Sequence, residues 1–129
     1  MDRIDEQARD EWVQAVEALA AEVELWARRR GWESVREVQD FHEGRLGPYQ
    51  APVLSVRTPH TKLVLEPVGR FAAGCEGRVD LYEWPSFNRL LLKRKDGAWR
   101  LHTDAGIPWP SPWSEAAFEE LARLLGEAA

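Results

Sequence analysis

The chain has 129 residues, of which 44% are hydrophobic and 30% charged, with a formal net charge of −5 at pH 7. That fits one globular domain with one core, and the negative balance argues against a general binder of nucleic acid or anionic membranes, which needs a basic surface. No apolar run approaches the ~20 residues of a membrane-crossing helix, and the acidic start MDRIDEQARD lacks the pattern of a signal peptide.

Trp12, Val16, Leu19, Val23 and Trp26 recur at spacings of four and three. They form one face of an amphipathic helix from about Asp2 to Arg30, a stripe that Val13, Ala20 and Ala27 widen. Asp2, Asp5 and Glu6 in the first turns and Arg28, Arg29 and Arg30 in the last complement the helix dipole, and Gly31 suits the position just past the end. The RRR run reads as a charge-complemented helix end rather than a docking site.

After Gly31 the pattern changes to short β-like runs. A strand is predicted near Val35–His42, broken by EGRLGPYQAP. Leu54 and Val56, alternating with Ser55 and Arg57, mark the next strand. Leu63 and Leu65 mark another, which Pro67 ends or places at a sheet edge. GRFAAGCEG is a loop, and RVDLYEW is a strand stopped by Pro85 and Ser86. NRLLLKRKDGAWRLHT is a hairpin around a type I′ Asp96-Gly97 turn, with Trp99 and Leu101 on the face of Leu92 and Leu90. From about Ser114 to Leu125 a second helix carries the stripe Phe118, Leu121, Ala122 and Leu125. GIPWPSPW, just before it, reads as a stiff strand-to-helix connection. Ser114 is the N-cap, and Trp113 with Phe118 forms a hydrophobic staple. Trp109 is the one residue there left for an outside contact.

The connections are too short for parallel crossovers. The predicted fold is therefore α+β in a single domain, residues 1–129: an N-terminal helix, about six mainly antiparallel strands and a C-terminal helix. Both helices cover one face of the sheet.

Few constellations point to chemistry. Asp80 and Lys93 on neighbouring strands resemble part of the acid–lysine set of metal-dependent nucleases, with Glu17 or Glu24 as a further acid. The E-x-K pair such a site needs is missing, because Leu91 stands two before Lys93. Asp80 and Lys93 read more simply as cross-strand partners on a solvated face. His42, His60 and His102 show no zinc spacing, and no serine elbow, phosphate loop or dinucleotide fingerprint is present. No metal or cofactor is expected. The lone Cys75 excludes a disulfide within the chain and fits a reducing cytoplasm.

The hairpin Asn88–Arg100 holds Arg89, Lys93, Arg94, Lys95 and Arg100 against Asp96 alone. Such a basic ribbon suits an acidic protein patch, or protects a sheet edge from aggregation; nucleic acid ranks behind both. Of the seven tryptophans, Trp12, Trp26 and Trp99 read as core. Trp32, Trp84, Trp109 and Trp113 sit at element ends, where they cap a core or form interface anchors.

The stretches LVLEPVG, GRVDLYEWP and GAWRLHTDAGIPWPSPW in the C-terminal half resemble small uncharacterised bacterial proteins with no assigned activity. The resemblance implies a bacterial source and assigns no site residue. Arginine supplies fourteen of the seventeen basic residues, which suits a GC-rich genome. The sequence thus leads to a small non-enzymatic protein-binding or accessory module of a bacterial cytoplasm. Its candidate contacts are Arg89, Lys93, Arg94, Lys95, Arg100 and Trp109, and a homo-oligomer is left open. The alternatives are a degenerate metal-dependent nuclease fold and a small-ligand binder with a tryptophan-lined cleft between helix and sheet.

Overall fold

The computed structural model describes residues 2–72 and 74–128. Helix α1 spans Arg3–Arg29. Strands β1 to β6 span Glu33–Glu43, Gly47–Arg57, Lys62–Gly69, Arg78–Trp84, Arg89–Lys95 and Ala98–Thr103. Helix α2 spans Glu115–Ala128. The strands form one six-stranded antiparallel meander in chain order. Both helices pack on the same face of it, the α+β arrangement the sequence predicts. No described helix is long and apolar enough to cross a membrane.

Caps and periodicity explain α1. The Asp2 carboxylate accepts from the Ile4 amide at 2.7 Å. At the other end Gly31 takes φ 71°, which lets Trp32 N–H reach Ala27 O at 2.9 Å and Gly31 N–H reach Arg28 O at 3.0 Å. The stripe Trp12, Val16, Leu19, Val23 and Trp26 is buried against Leu54, Val56, Leu63, Leu65, Leu81, Leu92 and Leu101. Each such side chain contributes about 1.5–3 kcal/mol of transfer free energy.

The C-terminal helix is tied down as its sequence suggests. Ser114 Oγ accepts from Ala117 N at 3.1 Å, and the rings of Trp113 and Phe118 meet edge-on at 6.2 Å. The RRR run does more than complement a dipole. Arg29 Nη1 bonds Glu115 Oε1 at 2.7 Å, Arg30 Nη1 bonds Glu115 Oε2 at 2.6 Å, and Arg30 also bonds Glu119. The end of α1 therefore clamps the first turn of α2. The Arg30 guanidinium holds the Glu115 carboxyl below the usual carboxylate range. A depressed folded pKa gives stability that is present above the unfolded value and lost as pH falls through the folded one. The wild-type chain is expected to lose more stability than Glu115→Gln as pH falls below 4.5, in urea titrations across acid pH. Equal acid slopes for the two chains contradict the clamp.

Two expectations about the sheet need correction. EGRLGPYQAP does not break a strand: a single 3-10 turn, Gly44–Leu46, joins β1 to β2, which begins at Gly47. Pro67 neither ends β3 nor lies in an outer strand, since β3 runs on to Gly69 and is third of six. The physical reason is shared. β2 pairs with β3 only over Leu54–Arg57, so Pro48 and Pro52 have β1 alone as neighbour. Pro67 likewise pairs with β4 alone, beside a register irregularity. A residue without an N–H fits a strand where one side is unpaired. Inward parity in β2 also switches, because Tyr49 and Ala51 as well as Leu54 and Val56 enter the core.

The segment GIPWPSPW seals one edge of the sheet. Thr103 N–H donates to Ile107 O and Trp109 N–H donates to Leu101 O, each at 2.8 Å, with a bridge between His102 and Pro108. Alternate residues of an extended chain turn their backbone groups to opposite sides. Ile107 and Trp109 face β6, so Pro108 and Pro110 face outward and offer no N–H to a further strand.

Candidate functional site: the open face of the sheet

The helices leave one face of the sheet without a covering layer. Strand alternation puts Val64 and Glu66 of β3, Arg78, Asp80 and Tyr82 of β4, Arg89, Leu91 and Lys93 of β5, and Arg100 and His102 of β6 on it. Near its centre Glu66, Asp80, Tyr82, Phe87, Arg89 and Asp104 line a groove of about 360 Å³.

Asp80 is buried at the floor of this groove. Arg78 grips it in a fork, Nε to Oδ1 at 2.7 Å and Nη2 to Oδ2 at 3.0 Å, and Arg89 Nη1 reaches Oδ2 at 3.4 Å. Arg89 Nε also bonds Asp104 Oδ1 at 2.7 Å. The hydrogen bonds to the Asp80 carboxylate push the Arg78 pKa up. Burial, and then the Glu66 carboxylate, push the Tyr82 phenol up, keeping it a neutral donor.

Beside the groove stands Phe87. Its φ is 64°, a left-handed conformation that bulky residues avoid, yet the residue is 57% exposed. The surrounding turn imposes this geometry. Phe87 N–H donates to Glu83 O at 2.8 Å, Glu83 N–H donates to Asn88 O at 2.9 Å, and Asn88 N–H donates to Ser86 Oγ at 3.2 Å. Fully buried Glu83 anchors the turn from the core side, its Oε1 accepting from Ser86 N at 3.4 Å. The Phe87 ring stacks on Tyr82 at 5.7 Å and meets Trp84 edge-on at 4.9 Å. Trp84 is itself 48% exposed.

No family model, curated protein or solved structure matches the chain. The geometry of this face is what bears on function.

The sequence-predicted residues are distributed unevenly over it. Lys93 lies opposite Arg78 and Arg100, diagonal to Asp80, so Asp80 has arginine partners where the sequence suggested Lys93. Lys93, Lys95 and Arg100 stay together at one end of the open face. Arg89 is committed to Asp80 and Asp104. Arg94 turns to the helix side, 5.3 Å from the Trp99 ring, and lines a cleft of about 480 Å³ with Glu11 and Glu76. The basic hairpin is therefore divided between two faces by strand alternation.

A nuclease-type centre is not assembled. Glu17 and Glu24 ride on α1, behind the sheet, and Arg36 binds Glu24. Among the described residues no group of three or more His, Cys, Asp or Glu is placed to hold a metal ion. His102 Nδ1 lies 3.2 Å from Arg100 O, while Asp104 is turned to Arg89. Cys75 is half-buried, its Sγ 3.3 Å from Gly77 O.

Trp32, Trp109 and Trp113 are half-buried against the core, as core-capping residues should be, whereas Trp84 stands on the surface. A tryptophan-lined groove of about 390 Å³ exists, formed by Trp99, Trp109 and Trp113. It lies between β6 and the proline segment; on the helix side buried Trp12 lines the cleft of about 480 Å³ and Trp32 lines one of about 420 Å³ between α2 and the β2–β3 turn. Sequence reasoning missed Glu66, Tyr82 and Phe87. The available signal was LYEWPSF, three aromatics within seven residues around a proline.

Proposed function

We propose that the chain is a small non-enzymatic protein-binding module, an accessory protein of a bacterial cytoplasm, which docks its partner on the open face of the sheet. Phe87 carries this reading. An exposed aromatic in a left-handed conformation costs about 1–3 kcal/mol, and such strain concentrates where a side chain must be presented. Aromatic anchors ringed by polar groups are the usual centre of a protein interface. Here the ring is rimmed by Glu66 and Asp104 on one side, with Lys93, Lys95 and Arg100 at the far end. A partner of complementary charge is thereby oriented as well as held. Six strands at ~4.8 Å spacing with seven residues at ~3.3 Å rise give a face roughly 24 by 23 Å, the order of one side of a stable interface.

Phe87→Gly tests this cleanly, because glycine accepts φ 64° without strain and the substitution removes only the ring. Its unfolding free energy is expected within about 1 kcal/mol of wild type, lost ring packing being offset by relieved strain. A discrete protein captured from lysate of the producing cells by the wild-type chain should be lost with Phe87→Gly and with Lys93→Glu. Capture unchanged by both substitutions contradicts the proposal.

A further inference from the structure

The chain treats the two edges of its sheet differently. Along β6 it lays its own residues 107–109, with prolines turned outward. Along β1 no described residue pairs on the outer side, and the strand runs eleven residues, Glu33–Glu43, without a proline. Every residue from Glu33 to Asp40 is exposed, including Val35 at 59% and Val38 at 64%. A long open edge of this kind is a template for another strand, and proteins that leave one bare have a partner for it or suffer aggregation.

We infer that the partner at this edge is a second copy of the same chain, paired antiparallel through β1 about a twofold axis at Val38. The charge pattern of the strand selects that register. Antiparallel copies related by an axis perpendicular to the sheet pair residues at equal distances on either side of the axis. With the axis at Val38, Arg36 faces Asp40 of the second copy and Asp40 faces Arg36, two opposite-charge pairs from one contact that extend the bonds Arg36 makes to Glu24 and Asp40 accepts from Gln50 within each chain. Val35 faces Phe41, Val38 faces itself, Glu37 faces Gln39 and Ser34 faces His42. Only the outermost pair, Glu33 with Glu43, joins like charges. The Glu43 carboxylate is turned away, to Tyr49 and the amides of Arg70 and Phe71.

Neighbouring registers lack this match. An axis at Arg36, Glu37 or Asp40 sets a charge against its own copy. An axis at Val35 sets Glu33 against Glu37, and one at Gln39 sets Val35 against Glu43 and Val38 against Asp40. An axis at Phe41 opposes no like charges but pairs only Gln39 to Glu43, so self-complementarity over the whole strand belongs to the Val38 register, which yields a closed dimer rather than an open stack. The twelve-stranded sheet so formed carries two copies of the Phe87 groove. The dimer does not depend on the docking role of that groove, and Phe87→Gly should leave it intact.

Sedimentation of the full chain from micromolar to millimolar concentration tests the inference. The wild-type protein should associate reversibly to twice its 14.8 kDa mass. In a Glu24→Gln background, which removes the carboxylate that Arg36 binds in its own chain, Arg36→Asp and Asp40→Arg should each weaken the dimer about tenfold by turning two attractive pairs repulsive. The double variant Arg36→Asp/Asp40→Arg should restore it, since it exchanges the partners in this register alone. In a Cys75→Ser background, Val38→Cys should form a disulfide-linked dimer under mild oxidation faster than Gln39→Cys, because only the residue on the axis faces itself. A monomer at every concentration overturns the inference. So does a double swap that fails to restore association, Gln39→Cys linking as fast as Val38→Cys, or a strand of a different protein occupying this edge.

Discussion

Gly77→Ala is expected to destabilise the chain by on the order of 3–5 kcal/mol, enough to leave much of it unfolded. Gly77 leads into β4 with φ 144°, a region closed to side chains. An added Cβ would lie 2.2 Å from Cζ3 of Trp12, 2.6 Å from Cε3 and 2.8 Å from Cη2. Backbone strain and overpacking each contribute about 1–3 kcal/mol. Trp12 has no room to retreat. Its ring is buried, tilted against Trp99 at 6.0 Å, and its Nε1–H donates to Tyr49 Oη at 3.3 Å. Tyr49 in turn donates to Glu43 Oε1 at 3.1 Å, and burial pushes its phenol up to about 12, so this chain of bonds persists at neutral pH. Gly74→Ala separates the two causes. Gly74 has φ 73° with nothing within 4 Å of its would-be Cβ, so only the strain of about 1 kcal/mol should register. Equal denaturant midpoints for Gly77→Ala and Gly74→Ala contradict the packing described around Trp12.

Phe118→Ala comes next in size, at about 3–5 kcal/mol. Phe118 is fully buried where α2 meets α1, within 5.9 Å of Trp26, 6.1 Å of Trp32 and 6.2 Å of Trp113. Deleting the ring leaves a cavity walled by three indoles that are held elsewhere. Trp26 belongs to the α1 stripe, and Trp113 Nε1 donates to Glu22 at 3.1 Å. Phe118→Leu keeps most of the volume and should lose less than half as much. Tryptophan emission should shift in Phe118→Ala before the unfolding transition, because these three indoles report the cavity. A loss below about 1 kcal/mol contradicts a central role for this cluster.

The helices were legible because periodicity and caps agree: Gly31 and Ser114 sit where the chain must leave or enter a helix. The Asp96-Gly97 turn was legible for the same reason, its φ values of 52° and 77° being those its residues favour. The β1–β2 hairpin was not, since Pro48 and Pro52 read as breakers until it is known that β2 has one neighbour there. GIPWPSPW announced its staple but not its pairing with β6, which depends on which backbone groups lie opposite it. The site divides in the same way. Asp80 and Arg89 could be picked out by residue type and position. That Arg78, two residues along the same strand face, holds Asp80 was readable from period-two alternation alone. Phe87 was hidden because its conformation is one that phenylalanine disfavours, imposed by a turn anchored on Glu83.

A photo-crosslinking amino acid placed at Phe87, in cells that make the protein, tests the docking face most directly. An adduct with one discrete partner protein is the expected result. The same group at Leu25, exposed on α1 behind the sheet, should give none. No adduct from Phe87, or the same adducts from both positions, contradicts a partner held on the open face.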